Sequence, residues 1–436
     1  MCYYMLVIKS DSRGLSVRIR PQERNTMGKK FCRGVENIML NVLNREDAVA
    51  LIKEKTASLT PETEKVNIRD ACGRITACDI VSPENVPSFD RTTVDGYAVN
   101  AADTFGAGAS IPAQLEITGE ILMGEKADSA VKRGQCVKIS TGGMIPAGAD
   151  AAVMVEHTDC DGNLCLVYKS VAPYENITRE GDDIRSGETV LKRGTAIGPA
   201  QTGVLAALGI TGVEVYKKPV VAVISTGDEI VTGTPGPGQI RDVNTFLLSA
   251  ALKEYGCDVR EYGAVADKRD AIETALKECL KTADAVIVSG GSSAGTRDMT
   301  VDIIDTLGRA YFHGIAMKPG KPTIFGIVEN KPVFGLPGHP LAAYFVFRLV
   351  VAEYLRNILH LPDGKPSFKG TLAANIPSNH GREEFLCVSI DENNEIVPLH
   401  TKSGIISVLS EAKGFIRIPR NTEGLGKGTV TEVYGL

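Results

Sequence analysis

The stretch DAVIVSGGSSAGTRDMTVDIIDTLG, Asp284 to Gly308, decides the fold. Its first residues form a short uninterrupted apolar run, the pattern of a strand buried on both faces. Further on, Ile303, Ile304 and Leu307 share one helical face. SGGSSAG therefore lies between a strand end and a helix N-terminus, the place in an α/β layer where backbone amides approach an anion. The loop lacks the lysine of GxxxxGK[ST] and is not a GxGxxG opening a dinucleotide unit, so nucleoside triphosphate hydrolysis is not implied.

The same alternation extends in both directions. KPVVAVIST (218–226) is another buried-strand run, and DVNTFLLSAALKEYG (242–256) puts Leu248, Ala251, Leu252 and Tyr255 on one helical face. DVREYG (258–263) reads as a strand, and KRDAIETALKECLK (268–281) as a helix with Ile272, Ala275, Leu276 and Cys279 inward. PTIFGIV and KPVFGL are strand-like, and Pro340 opens the broadly apolar helix LAAYFVFRLVVAEYLRNIL, suited to burial or dimer formation. The result is an α/β domain with a mainly parallel sheet over 218–362.

Other segments have a different character. REDAVALIKEKTA and Pro199 to Leu208 read as helices, so 41–81 and 179–217 form a discontinuous helical domain. Short apolar pieces separated by Gly and Pro make 82–178 an inserted β-rich domain. After LPDGKP, residues 363–436 read as a small all-β module, while 1–40 are a basic, weakly periodic extension without assigned chemistry.

A chain of 436 residues predicts two to four domains. Lys and Arg number 48 against 53 Asp and Glu, a formal net charge of -5, which gives no global reason to bind nucleic acid or an anionic membrane. Ten Cys without a CxxC pair read as free thiols, and six His form no zinc pattern. The N-terminal apolar run is too short for a secretory signal, and Arg348 and Glu353 interrupt the most apolar segment. The expectation is a soluble, cytoplasmic protein.

Four loops follow strand candidates of the α/β domain and can share one mouth. STGDEI is expected to expose amides and hydroxyls at Ser225 and Thr226, with Asp228 and Glu229 adding negative charge. SGGSSAG offers Gly290, Gly291 and Ser292; the nearby Asp298 either caps the helix or approaches a metal ion. AMKPGKP places Lys318 and Lys321 near an oxyanion, or is an ordinary solvated turn. GLPGHP is a strand-to-helix turn in which His339 is a ligand, a base or structural. Elsewhere FDRTTVDGYAVN carries Asp90 and Asp95, KISTGGMIPAGAD carries Thr141, and REGDDI carries Asp182 and Asp183. Carboxylates together with anion loops suit magnesium-dependent phosphate chemistry.

Taken in order, FDRTTVDGYAV, KISTGGMIPAGAD, GDDI, VVAVISTGDEI, VSGGSSAGTRDMT, MKPGKP and GLPGHP resemble the molybdopterin molybdenumtransferases, the molybdenum insertases of cofactor synthesis. The resemblance implies an elongated homodimer with a helical domain, an inserted β-rich domain, an α/β domain similar to molybdopterin adenylyltransferase and a C-terminal β-barrel-like domain. It implies an active site shared between subunits, and contact with molybdopterin adenylyltransferase or cofactor-accepting enzymes. The implied reaction takes adenylylated molybdopterin and molybdate, with Mg2+, and releases AMP.

By position, the resemblance implies catalytic roles for Asp95, Thr141, Asp183, Glu229, Asp267 and Asp298, with Glu229 and Asp298 at the metal. It also implies substrate-binding roles for Lys318 and Lys321 and, in the last domain, for Arg382, Ser403 and Ser407. This chain reads GLPGHPLAA where the family usually reads GLPGNPVSA, so His339 replaces Asn and Ala342 removes a hydroxyl donor. Those departures motivate two alternatives: a paralogue handling tungstate or a modified pterin nucleotide, and a noncatalytic scaffold.

Overall fold

The computed structural model describes residues 42–128, 130–290, 294–399 and 402–436, with a short antiparallel pair at Ile8–Lys9 and Ser16–Val17. Helix α1 (Arg45–Thr56) begins with Glu46 and Asp47, whose charges suit the positive end of the helix dipole, and buries Ala48 and Ile52. Strands β1 (Thr63–Asn67) and β2 (Ile80–Val81) follow.

The chain then builds the inserted unit. Its strands are β3 (Gly96–Val99), β4 (Ala113–Ile121), β5 (Gln135–Ile139), β6 (Ala151–Met154), β7 (Thr158–Asp161) and β8 (Leu164–Val167), in the order β7-β8-β4-β5-β3-β6. Alternate residues supply two cores: Tyr97, Val99 and Cys136 enter one, Ala98, Val137 and Ile139 the other. Strands β3 and β6 are buried along nearly their whole length, whereas β4 and β7 keep exposed polar residues.

Strand β9 (Thr189–Leu191), helix α2 (Pro199–Ala207) and strand β10 (Gly212–Tyr216) bring the chain back. Strand β9 pairs with β2, and β10 with β1, both antiparallel. Ladders of hydrogen bonds thus join the segments on either side of the insertion.

The α/β unit begins with β11 (Val220–Thr226), α3 (Asn244–Glu254), β12 (Asp258–Val265), α4 (Arg269–Leu280), β13 (Ala285–Gly290) and α5 (Ala294–Leu307). It continues through β14 (Arg309–His313), β15 (Met317–Lys318), β16 (Ile324–Val328) and β17 (Lys331–Leu336). The sheet order is β12-β11-β13-β17-β16-β14; the first four strands are parallel, and the last two join antiparallel. Leu248, Leu252 and Tyr255 of the α3 segment pack on one face, and Ile272, Leu276, Ile303 and Ile304 of α4 and α5 on the other.

Pro340 starts α6 (Pro340–Val346), which passes through a π-helical turn at Phe347–Val351 into α7 (Ala352–Leu359). Phe345, Phe347, Val350 and Leu355 are buried. The apolar breadth of this helix is used inside the chain, where it joins the core that also holds Ala48 of α1 and Phe385 and Phe415 of the last domain. Among the described residues no helix is long and apolar enough to cross a membrane.

The last domain has β18 (Phe368–Thr371), β19 (Glu383–Ile390), β20 (Ile396–Pro398), α8 (Val408–Glu411), β21 (Gly414–Ile418) and β22 (Val430–Tyr434). Antiparallel pairing runs β19-β21-β22-β18, with β20 on the other edge of β19. Leu372, just past β18, bridges Ile396 of β20, so the sheet curls back on itself like a barrel. Strand β15 of the α/β unit pairs in parallel with the start of β19, Met317 opposite Glu383 and Lys318 opposite Glu384.

Beside this junction the Glu383 carboxylate is buried between two guanidinium groups. Arg45 Nε of α1 donates to it at 2.7 Å, and Arg417 of β21 contacts its other oxygen. Arg417 also reaches Glu46 of α1 at 2.8 Å. Removing one partner of such a cluster leaves charge buried without compensation. Glu383→Ala is therefore expected to lower unfolding free energy by about 3 kcal/mol, measured by urea denaturation; a change within error would show that the cluster does not join the domains.

Candidate active site

The carboxyl ends of β11, β13 and β17 lie side by side, as an open α/β sheet requires for a ligand mouth. Thr226 of β11 pairs with Gly290 of β13. Gly290 has φ 148°, and a Cβ there would lie 2.2 Å from Thr226 Oγ1, so no larger residue fits without moving the strand. Gly291 and Ser292 lie outside the described residues.

Two expectations for these loops change. Ser225 and Thr226 do not present hydroxyls to solvent: Ser225 is fully buried and donates to Asp242 Oδ1 at 2.9 Å, beside the Thr245 hydroxyl at 2.9 Å. A hydroxyl committed to a buried network does not face solvent, which corrects the expectation of an exposed hydroxyl at Ser225. Asp298 does not cap α5, because that helix already begins at Ala294; its half-buried side chain lies beyond the first turn.

Asp228 and Glu229 are exposed after β11. Asp228 Oδ1 accepts from the Asp267 backbone N–H at 3.2 Å, which holds the loop after β12 beside the one after β11. Two further positioning residues, Asp242 and Asn244, come from the start of α3. Asp242 accepts from the N–H and hydroxyl of Thr245, at 3.1 and 2.6 Å. Asn244 Nδ2 donates to Ser289 Oγ and to the Gly338 carbonyl, both at 2.8 Å, tying β13 to the turn after β17. Asn244 Oδ1 is buried and has no hydrogen-bond partner among the described residues. The Asp-x-Asn pattern of RDVNTF, typical of helix starts, was the signal for both residues.

A cleft of about 810 Å³ opens between the α/β unit and the last domain. Lys318, Lys321, His339, Ala342, Arg382 and Ser403 all line it. Gly320, φ 115°, lets the KPGKP loop lie against α6, since a Cβ there would meet Val346 Cγ2 at 2.6 Å. Lys318 Nζ is paired with Glu384 at 2.7 Å, and Ser378 donates to the other Glu384 oxygen at 2.8 Å. Among the described residues neither Lys321 nor Arg382 has an ion-pair partner, and both are exposed. His339 Nδ1 shares a 3.0 Å hydrogen bond with the Ser403 hydroxyl, so this turn is anchored across the interface. Glu384, Phe385 and Lys402 also line the cleft, and no motif singled them out. Ser407 precedes α8 and accepts from Ser410 through its carbonyl; it is absent from the cleft lining.

Asp95 and Thr141 meet in the inserted unit. Asp95 Oδ1 accepts from the Thr141 N–H at 2.7 Å and from its hydroxyl at 3.0 Å. Those bonds, the backbone one first, hold the Asp95 carboxyl below the usual carboxylate range. Asp90 accepts from the Glu180 N–H at 2.7 Å, and Asp182 from the Arg179 N–H at 2.8 Å, while Asp183 is exposed on the same return loop. None of Asp95, Thr141, Asp183, Glu229, Asp267 or Asp298 is among the described residues lining the cleft. Among the described residues no three ligating side chains cluster as a metal centre.

Residues 43–209 match the family description MoeA N-terminal region (domain I and II), 222–357 match Probable molybdopterin binding domain, and 369–436 match MoeA C-terminal region (domain IV). A Methanocaldococcus jannaschii protein named for molybdopterin biosynthesis is 34% identical over 412 residues, covering 91% of this chain and 99% of that one. The molybdopterin molybdenumtransferase of Haemophilus influenzae is 36% identical over 329 residues, covering 74% and 80% of the two chains. A crystal structure of the molybdopterin biosynthesis MoeA protein of Pyrococcus horikoshii OT3 superposes with a TM-score of 0.78 at 31% identity, over 91% of this chain and 100% of that one. Matched in order along nearly its whole described length, the chain belongs to the MoeA, or molybdopterin molybdenumtransferase, family of molybdenum cofactor biosynthesis.

Proposed function

We propose that this chain is a molybdopterin molybdenumtransferase that takes molybdate and adenylylated molybdopterin, places molybdenum on the dithiolene sulfurs and releases AMP. The observation that carries this reading is the charge of the cleft: Lys321 and Arg382 face it without carboxylate partners among the described residues. Two such cations suit a tetrahedral dianion, to which a guanidinium donates in a fixed fork. Ala342 offers no donor, but the Ser403 hydroxyl, oriented by His339, lines the same cleft.

The donor set at the sheet mouth suits magnesium, which is commonly held by one or two carboxylates together with substrate phosphates. Glu229 and Asp298 would hold it, following hydrogen-bonded neighbours β11 and β13, and the open acceptor Asn244 Oδ1 lies on the same edge. Bound magnesium supplies screening of phosphoanhydride charge. The chain's own residues bind and orient: Gly290 admits close backbone approach, Asp228 steadies Asp267, and Lys321 and Arg382 receive anionic oxygens beside the Lys318–Glu384 pair. A phosphorus–oxygen bond breaks, AMP leaves, and the attacking oxygen comes from water or molybdate.

Asp95, Thr141 and Asp183 lie outside the cleft lining, and we assign them to the mouth of a second copy of the chain in a homodimer. Contact with an adenylyltransferase that supplies the substrate belongs to the same reading.

Incubation with adenylylated molybdopterin, molybdate and magnesium is expected to release AMP; release that ignores molybdate would sink the reading. Asp298→Asn is expected to slow release about 100-fold. Mixing Asp95→Asn with Asp298→Asn chains is expected to restore part of the rate, because some mixed dimers carry one intact site; no recovery despite subunit exchange would place both residues in one subunit's site. Thr141→Val removes one of two bonds to Asp95, so the Asp95 pKa is expected to rise in a carboxyl NMR titration. A depressed folded pKa contributes stability above the ordinary carboxylate range that is lost as pH falls through the folded value, so in Thr141→Val that loss begins at higher pH.

A further inference from the structure

A second cleft, of about 380 Å³, shares the Phe385 side chain with the first. Arg45, Arg348, Arg356, Lys365 and Arg417 line it, with Glu353 as the one lining carboxylate among the described residues. These cations are held in place before any ligand arrives. Arg348 and Arg356 both donate to the Tyr255 hydroxyl, at 3.3 and 3.0 Å, and both lie over its ring. Arg348 Nη2 also donates to the Gly435 carbonyl at 3.0 Å. Arg45 lies over the Phe385 ring, 5.9 Å from its centroid.

Charge in this network does not balance. Glu353 serves Lys53 and Arg356, Glu383 serves Arg45 and Arg417, Glu46 serves Arg417, and Glu254 lies 3.9 Å from Arg348. Lys365, in the linker before the last domain, has no carboxylate partner among the described residues. With Lys53 included, six cations meet four carboxylates among the described residues, which leaves an excess of two positive charges there. The Arg45, Arg348 and Arg356 side chains are only 17%, 17% and 15% exposed, so solvent screens their mutual repulsion poorly. A dianion relieves it.

We infer that this cleft is a second anion site, for a phosphate-monoester dianion. Guanidinium forks match phosphate oxygens, and the Ser367 side chain at the rim adds a hydroxyl. The cleft exceeds a bare tetrahedral anion, and Phe415 and Tyr434 offer an aromatic wall to an organic group attached to the phosphate. None of this rests on the proposed activity: Lys321, Arg382 and Ser403 are absent from its lining.

Equilibrium dialysis at low salt tests the site with two probes, inorganic phosphate and AMP, on the full chain and on Lys321→Ala, Lys365→Glu and Arg348→Gln. A saturable site is expected to persist in Lys321→Ala and to weaken about tenfold in Lys365→Glu and in Arg348→Gln. It is also expected to weaken as salt rises. Equal affinity for both probes assigns recognition to the phosphate alone; tighter AMP binding assigns the rest to the aromatic wall. Absence of a saturable site in Lys321→Ala, or unchanged affinity in Lys365→Glu, overturns the inference. Lys365 is exposed in a linker, so that variant decides the matter even where Arg348→Gln fails to fold.

Discussion

One buried carboxylate holds the working parts of this molecule in register. Glu383 starts the strand that pairs with Met317, and its side chain is gripped by Arg45 from the first helix and Arg417 from the last domain. Three distant pieces of chain are thereby fixed at one point. The desolvation of these charges is offset only while all of them are present, which makes the junction all-or-none. Next to it the KPGKP loop lies against α6, and Arg382 is adjacent in sequence to the clamped residue. The basic cleft thus borders the clamp, with Arg382 and Glu384 flanking Glu383 in the chain.

The cleft shows how sites at domain junctions divide their work. The α/β unit supplies Lys318, Lys321 and the His339 turn, while the last domain supplies Arg382, Ser403 and the carboxylate that neutralises Lys318. Pairing Lys318 with Glu384 leaves the remaining charge on Lys321 and Arg382. The His339–Ser403 hydrogen bond crosses the same gap, so the histidine is a tether between units as well as part of the lining. A similar economy holds at the sheet edge, where Asn244 and Asp242 commit their side chains to Ser289, Gly338, Ser225 and Thr245 and so keep the loops at the sheet mouth in place.

Legibility followed the range of the forces involved. The α/β alternation was readable because strand and helix periodicities are local: Ile303 with Ile304 and Leu248 with Leu252 declare their buried faces within one or two turns. Individual side-chain availability was not. Ser225 looked like an exposed hydroxyl in a polar loop, yet Asp242 buries it from a segment that the motif does not contain. The long apolar helix 340–359 was readable only as broadly apolar, and its residues join the chain's own core because the last domain packs against it.

By itself the sequence determined the order of layers and the set of loops at the sheet mouth, since these depend on residue pattern, backbone freedom at glycine and proline, and short spacing. Tertiary structure alone decided which charges stand free. Lys318 and Lys321 are equivalent in a KPGKP loop; only one meets Glu384, a residue 66 positions from Lys318 in the chain. The same holds for the cluster of Arg45, Arg348, Arg356 and Arg417, which no local pattern assembles. Electrostatic pairing depends on distance through space, and spacing along the chain carries no record of it until the fold has closed.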